Sequence, residues 1–130
     1  MTPKFRAWDS WRNRMSVVDR IYMDTEGVRL YDDFGEYWRD FRDVKLMQST
    51  GLVDKNGKEI FEGDVVRMRN PRDRRQIGMF QVVRVANSPM LGLLDKELTT
   101  EIFNLYEHMR NYYEVKGNIY ENPELLEDKE

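Results

Sequence analysis

Apolar residues in this chain recur mostly at every second position, in short runs. That period belongs to half-buried β-strands, whose side chains alternate between two faces. Phe5 and Ala7 alternate with Lys4, Arg6 and Trp8, and Asp9-Ser10 then favours a turn. Met15, Val17 and Val18 open a second run, and Ile21 and Met23 flank Tyr22 before Thr25-Glu26-Gly27. Glycine accepts a positive φ, so this triplet reads as the turn of a hairpin that returns along Val28, Leu30 and Tyr31. Residues 32–43 (DDFGEYWRDFRD) mix charge with aromatics and read as a loop or a single helical turn.

The strongest local cue is Asp54-Lys55-Asn56-Gly57, because Asn-Gly between two apolar runs is a tight hairpin turn. Glu62-Gly63-Asp64 then predicts a bend, and residues 65–68 a strand with Val66 and Met68 inward and Arg67 and Arg69 outward. Pro71 ends it. Residues 77–85 (IGMFQVVRV) are apolar on both faces, as a central strand would be. Asn87-Ser88-Pro89 is a turn, and residues 90–94 suit one more strand. The exception to period two is Leu98, Ile102, Leu105, Tyr106 and Met109, whose spacing predicts one short helix capped by Thr99 or Thr100. Tyr113, Val115 and Ile119 alternate as a last strand, and Asn122-Pro123 opens a short helical turn before an acidic end.

Composition narrows the chemistry. Length 130 suits one ordinary domain, and the absence of cysteine removes disulfides, thiolate metal sites and cysteine nucleophiles. The first residues carry no apolar stretch of the kind a secretory signal needs, and no run reaches the length of a membrane span. The expectation is therefore a protein with no membrane partner.

Three stretches then stand out together: KFRAWD at 4–9, LMQSTGLVDKNGKEIFEGDVV at 46–66, and GNIYENPELL at 117–126. In order and content they resemble the YopX family of phage and prophage proteins. Ser49 departs mildly from the pattern, standing where an aromatic is common. The resemblance implies a mainly β fold built around an SH3-like barrel; with the strand periodicity this gives an expected β-hairpin lobe over 1–48, the barrel over 49–121, and a short helical turn and acidic tail over 122–130. It also implies a gene carried by phages and prophages, hence a protein of the bacterial cytoplasm. It brings no catalytic motif, and such a fold does not decide function.

Among catalytic candidates, the single histidine, His108, falls on the outward face of the predicted helix with Glu101 and Asn104, which suits an exposed residue. The four serines lie outside any G-x-S-x-G elbow. Asp32 and Asp33 are adjacent acids in a polar loop, the usual setting of solvated carboxylates. Asp54-x-Asn56-Gly57 resembles the start of a calcium loop, but its glycine is misplaced and no glutamate stands at the twelfth position. No enzyme, metal or cofactor is expected.

Two binding surfaces remain. Arg67, Arg69, Arg72, Arg74 and Arg75 crowd one hairpin with only Asp73 opposing them, which suits phosphate and so nucleic acid. Against it stand a net charge of −3 and the lack of aromatics among those arginines, which a stacking platform would need. Trp8, Trp11, Tyr37, Trp38 and Phe41 are many large aromatics for short polar segments. Trp8 suits the core, whereas Tyr37 and Trp38 suit a protein-interaction patch. The leading expectation is an accessory protein that binds another protein or a second copy of itself. The alternative is nucleic-acid binding through 67–75.

Overall fold

A computed structural model describes residues 4–84, 91–95 and 102–127. Mainly β structure follows, in two compact units, Met1–Ser49 and Thr50–Glu130. No helix among the described residues is long and apolar enough to cross a membrane.

The first unit is an antiparallel sheet of β1 (Phe5–Asp9), β2 (Arg14–Tyr22), β3 (Gly27–Asp32), β4 (Gly35–Asp40) and β5 (Val44–Val53). Its order is β4-β3-β2-β1-β5, and β5 continues past residue 49 to pair at its far end with β6 (Glu59–Phe61). Register explains the alternation read from sequence. Ala7 lies across from Ser16, Val18 from Leu30, and Leu30 from Tyr37, so these residues share one face. Ala7, Val28, Leu30 and Val44 form the buried centre of that face, with Val18, Ile21, Tyr37, Phe41 and Leu46 packed around them.

Residues 32–43 differ from the expected loop. Gly35, at φ 122, closes a tight turn that the Asp32 carboxylate caps by accepting the Phe34 N–H at 2.8 Å. The chain then returns as β4 along the full length of β3. Only Phe41–Asp43 makes a 3-10 turn.

In the second unit, β7 (Asp64–Arg69), β8 (Ile77–Arg84), β9 (Leu91–Asp95), β10 (Ile102–Asn104) and β11 (Tyr113–Asn118) form an antiparallel sheet in the order β10-β9-β8-β7-β11. β8, within the apolar run read at 77–85, is thus its central strand. Ile60, Val66, Met68, Phe80, Val82 and Tyr113 make the core. The mainly β class expected from sequence is what the chain shows; among the described residues the two antiparallel sheets close no barrel.

The Asn-Gly turn is present, and Asp54 is its anchor. This buried carboxylate accepts the Asn56 and Lys58 N–H groups on Oδ1 and the Val115 N–H on Oδ2, each at 2.9 Å. Gly57 supplies the positive φ, 80°. With the Lys55 N–H donated to Tyr113 O, the hairpin covers the outer edge of β11.

The predicted helix over 98–109 is a correction. Ile102–Asn104 is a strand paired with β9, and a 3-10 segment follows at Glu107–Tyr112. Leu105 and Met109 still reach the core, but from a strand end and a 3-10 turn. Branched Ile102 and aromatic Phe103 suit that pairing, and tertiary contact overrides the helical spacing. The Thr99 or Thr100 cap and the Asn87-Ser88-Pro89 turn lie outside the described residues. Pro123–Leu126 is the helical turn read at 122–126.

Candidate functional site

The first unit gathers its most distinctive chemistry at the end of the sheet where β1 turns into β2 and β3 into β4. Asp9 ends β1 on the inward face and is fully buried. Its Oδ1 accepts the Trp11 N–H at 2.9 Å and the Arg12 N–H at 3.4 Å, fixing the β1–β2 turn. Asn13 completes it at φ 51, a conformation asparagine tolerates. A buried carboxylate must also be paired, and Arg39 of β4 does this, with Nε 3.2 Å from Asp9 Oδ2. Alternation along β4 puts Arg39 and Tyr37 on the same inward face. The Tyr37 hydroxyl meets Ser16 Oγ at 2.5 Å.

Around this anchor, arginines and aromatic rings alternate in one unbranched row. The Arg39 guanidinium lies 5.5 Å from the Trp11 ring centre and 4.7 Å from that of Tyr37. Arg12 lies 4.9 Å from Tyr37 and 5.9 Å from Phe34, and Arg14 lies 4.7 Å from Phe34. The order is Trp11, Arg39, Tyr37, Arg12, Phe34, Arg14. All five separations fall within cation–π range, each contributing ~0.5–1 kcal/mol at exposed positions. Asp32 Oδ2 holds Arg12 at 3.3 Å and Arg14 at 3.9 Å. The two ring residues at the rim stay open to solvent, Trp11 at 72% and Phe34 at 76%. An aromatic that is both exposed and fixed against cations is an adhesive element with little ordering entropy left to lose.

Tyr37 and Trp38, singled out from sequence, lie on opposite faces of β4, and both are half-buried. Tyr37 is the centre of the row. Trp38 packs on the Tyr22 ring at 5.4 Å, covers Gly27, and donates its indole N–H to Asp40 Oδ1 at 3.1 Å.

The five arginines of the basic hairpin sit on β7 and its turn into β8. Arg69, Arg72, Arg74 and Arg75 are exposed and Arg67 half-buried. They do not form a carboxylate-free face. Asp73 chelates the Arg75 guanidinium at 3.1 and 2.9 Å and accepts its N–H at 3.0 Å, which holds the Asp73 carboxyl below its ordinary range. Arg67 faces Glu114 across the β7–β11 pair. Glu114 is held low first by its bond to Lys116, with Lys116, Lys55 and Arg67 adding positive charge. His108 is exposed on the 3-10 segment, its ring 5.2 Å from that of Tyr106.

Sequence reading singled out only Tyr37 of the row as a site residue and noted Trp11 among the surplus aromatics. Arg12, Arg14, Phe34 and Arg39 carry a visible signal: W-R-N-R and F-G-E-Y-W-R each interleave cations with rings in a turn or at a strand edge. What sequence does not display is the sheet register that joins the two.

Comparison with known proteins places this geometry. The family described as YopX protein matches residues 4–127. The chain is also similar to a solved structure described as the crystal structure of protein EF1440 from Enterococcus faecalis. The identity is 28% over 98% of this chain and 99% of that one, with a TM-score of 0.62. No curated protein matches.

Proposed function

The chain belongs to the YopX family, and we propose that it is a non-enzymatic phage or prophage accessory protein. It acts in the bacterial cytoplasm by protein–protein interaction or self-assembly, through the arginine–aromatic row. One observation carries the reading: Trp11 and Phe34 are largely exposed, at 72% and 76%, yet seated against guanidinium groups. Trp, Tyr and Arg are the side chains that dominate interface energetics, and here four types of contact group lie within one small surface. Because Asp9 and Asp32 already pair the arginines, the row offers shape and apolar area rather than a strong positive field.

Nucleic-acid binding by the basic hairpin is the second reading, supported by the exposed Arg69, Arg72 and Arg74. It draws less support, since Arg75 is spent on Asp73 and Glu114 stands across from Arg67.

A photoreactive benzoylphenylalanine placed at position 34, in cells making the protein, tests the choice, with position 77 beside the basic hairpin as the comparison. The proposal expects protein adducts at position 34. Nucleic-acid adducts, or adducts at position 77 alone, contradict it.

A further inference from the structure

We infer that the partner of the arginine–aromatic row is the same row on a second copy of this chain, related by a two-fold axis. This rests on the reading of the row as a protein-contact surface and names its occupant.

The contacts run Trp11, Arg39, Tyr37, Arg12, Phe34, Arg14, strictly alternating ring and cation, with a ring at one end and a cation at the other. An alternating row with an even number of members is complementary to its own reverse. Laid antiparallel on a second copy, Trp11 meets Arg14, Arg39 meets Phe34, and Tyr37 meets Arg12, and the two-fold axis repeats each pair. No ring is forced on a ring and no cation on a cation. That is the condition an isologous interface must satisfy, since one patch serves both sides. A row with an odd number of members would fail it, because its middle member would meet its own kind.

Charge permits the same contact. Three arginines lie against two carboxylates, Asp9 and Asp32, so the row carries a residual charge of only about +1. Bare arginines facing one another would repel; paired ones, in physiological salt, do so weakly. Exposure follows the same plan. Trp11 and Phe34 project, whereas the Arg39 side chain, between Trp11 and Tyr37, is only 22% exposed. The projecting Phe34 ring of each copy therefore meets a recessed cation, Arg39, on the other.

The test is sedimentation equilibrium of the whole chain from ~10 μM to ~1 mM, a range that brackets weak homodimers. It is run beside the double variant Trp11→Ser/Phe34→Ser, which changes only exposed side chains. The inference expects a monomer–dimer equilibrium for the parent and at least a tenfold weaker one for the variant. A second variant, Asp32→Asn, keeps the Phe34 N–H acceptor but adds one positive charge to each row. It is expected to dimerise more weakly at low salt and to recover as salt is raised. A parent that stays monomeric throughout overturns the second copy as occupant and leaves the row open to a foreign protein. A parent and double variant that dimerise equally well overturn both the occupant and the row as contact surface. An Asp32→Asn protein that dimerises best at low salt also overturns the inference, because it would mean the row seeks an anion.

Discussion

Arg39 of β4 reaches Asp9 at the end of β1, with Nε 3.3 Å from Oδ1 and 3.2 Å from Oδ2 of a carboxylate that has no exposure to solvent. Two strands that are not neighbours in the sheet are thereby joined by an ion pair.

Removing Arg39 leaves an uncompensated buried charge on Asp9. Arg39→Ala is expected to destabilise the protein by ~3–5 kcal/mol. Asp9→Asn is expected to cost less, since its side-chain oxygen can still accept the Trp11 and Arg12 N–H groups. Urea denaturation of both variants checks the order, and an Arg39→Ala protein as stable as the parent contradicts it.

Asp54 links a turn to a strand 61 residues away through the Val115 N–H. Burial raises its carboxyl, but the N–H groups of Val115, Lys58 and Asn56, with the charge of Lys58, outweigh that and leave it below the ordinary value of 3.8. A carboxyl lowered in the folded state stabilises the protein above its unfolded value and loses that contribution as pH falls through the folded one. Denaturation midpoints should therefore fall more steeply below about pH 4 for the parent than for Asp54→Asn. At neutral pH, Asp54→Ala should cost ~3 kcal/mol or more, as three N–H groups lose their acceptor. Parallel pH profiles for parent and Asp54→Asn contradict this role.

Gly27 is fixed by what lies above it. A Cβ there would collide with the Trp38 ring. Gly27→Ala is expected to cost ~1–3 kcal/mol by overpacking and to alter the near-ultraviolet signal of the indole. In a Trp38→Ala background the same change should cost much less. Equal costs in both backgrounds would show that the ring is not what excludes the side chain.

What was legible in sequence was local. β1 and β7 announce themselves by alternation within single segments, β8 by a run apolar on both faces, and Asn56-Gly57 specifies its turn by backbone conformation. β4 was hidden because neither of its faces is apolar: Glu36, Trp38 and Asp40 alternate with Tyr37 and Arg39. The misread helix had the right inward residues, Leu105 and Met109, but pairing of Ile102–Asn104 with β9 decides the backbone there. The row was invisible for a different reason. Its members come from two turns and a strand whose neighbourhood exists only once β1, β2, β3 and β4 are in register.

If the row is the contact surface, Trp11 lies on it and Trp38 does not. Fluorine NMR of protein carrying 5-fluorotryptophan reads both directly, with the signals of Trp8, Trp11 and Trp38 assigned by single Trp→Phe variants. The account predicts that, on raising concentration from ~10 μM to ~1 mM, the Trp11 signal alone shifts and loses its sensitivity to exchanging H2O for D2O. A Trp11 signal that stays solvent-exposed and unmoved across that range, or a change confined to Trp38, contradicts it.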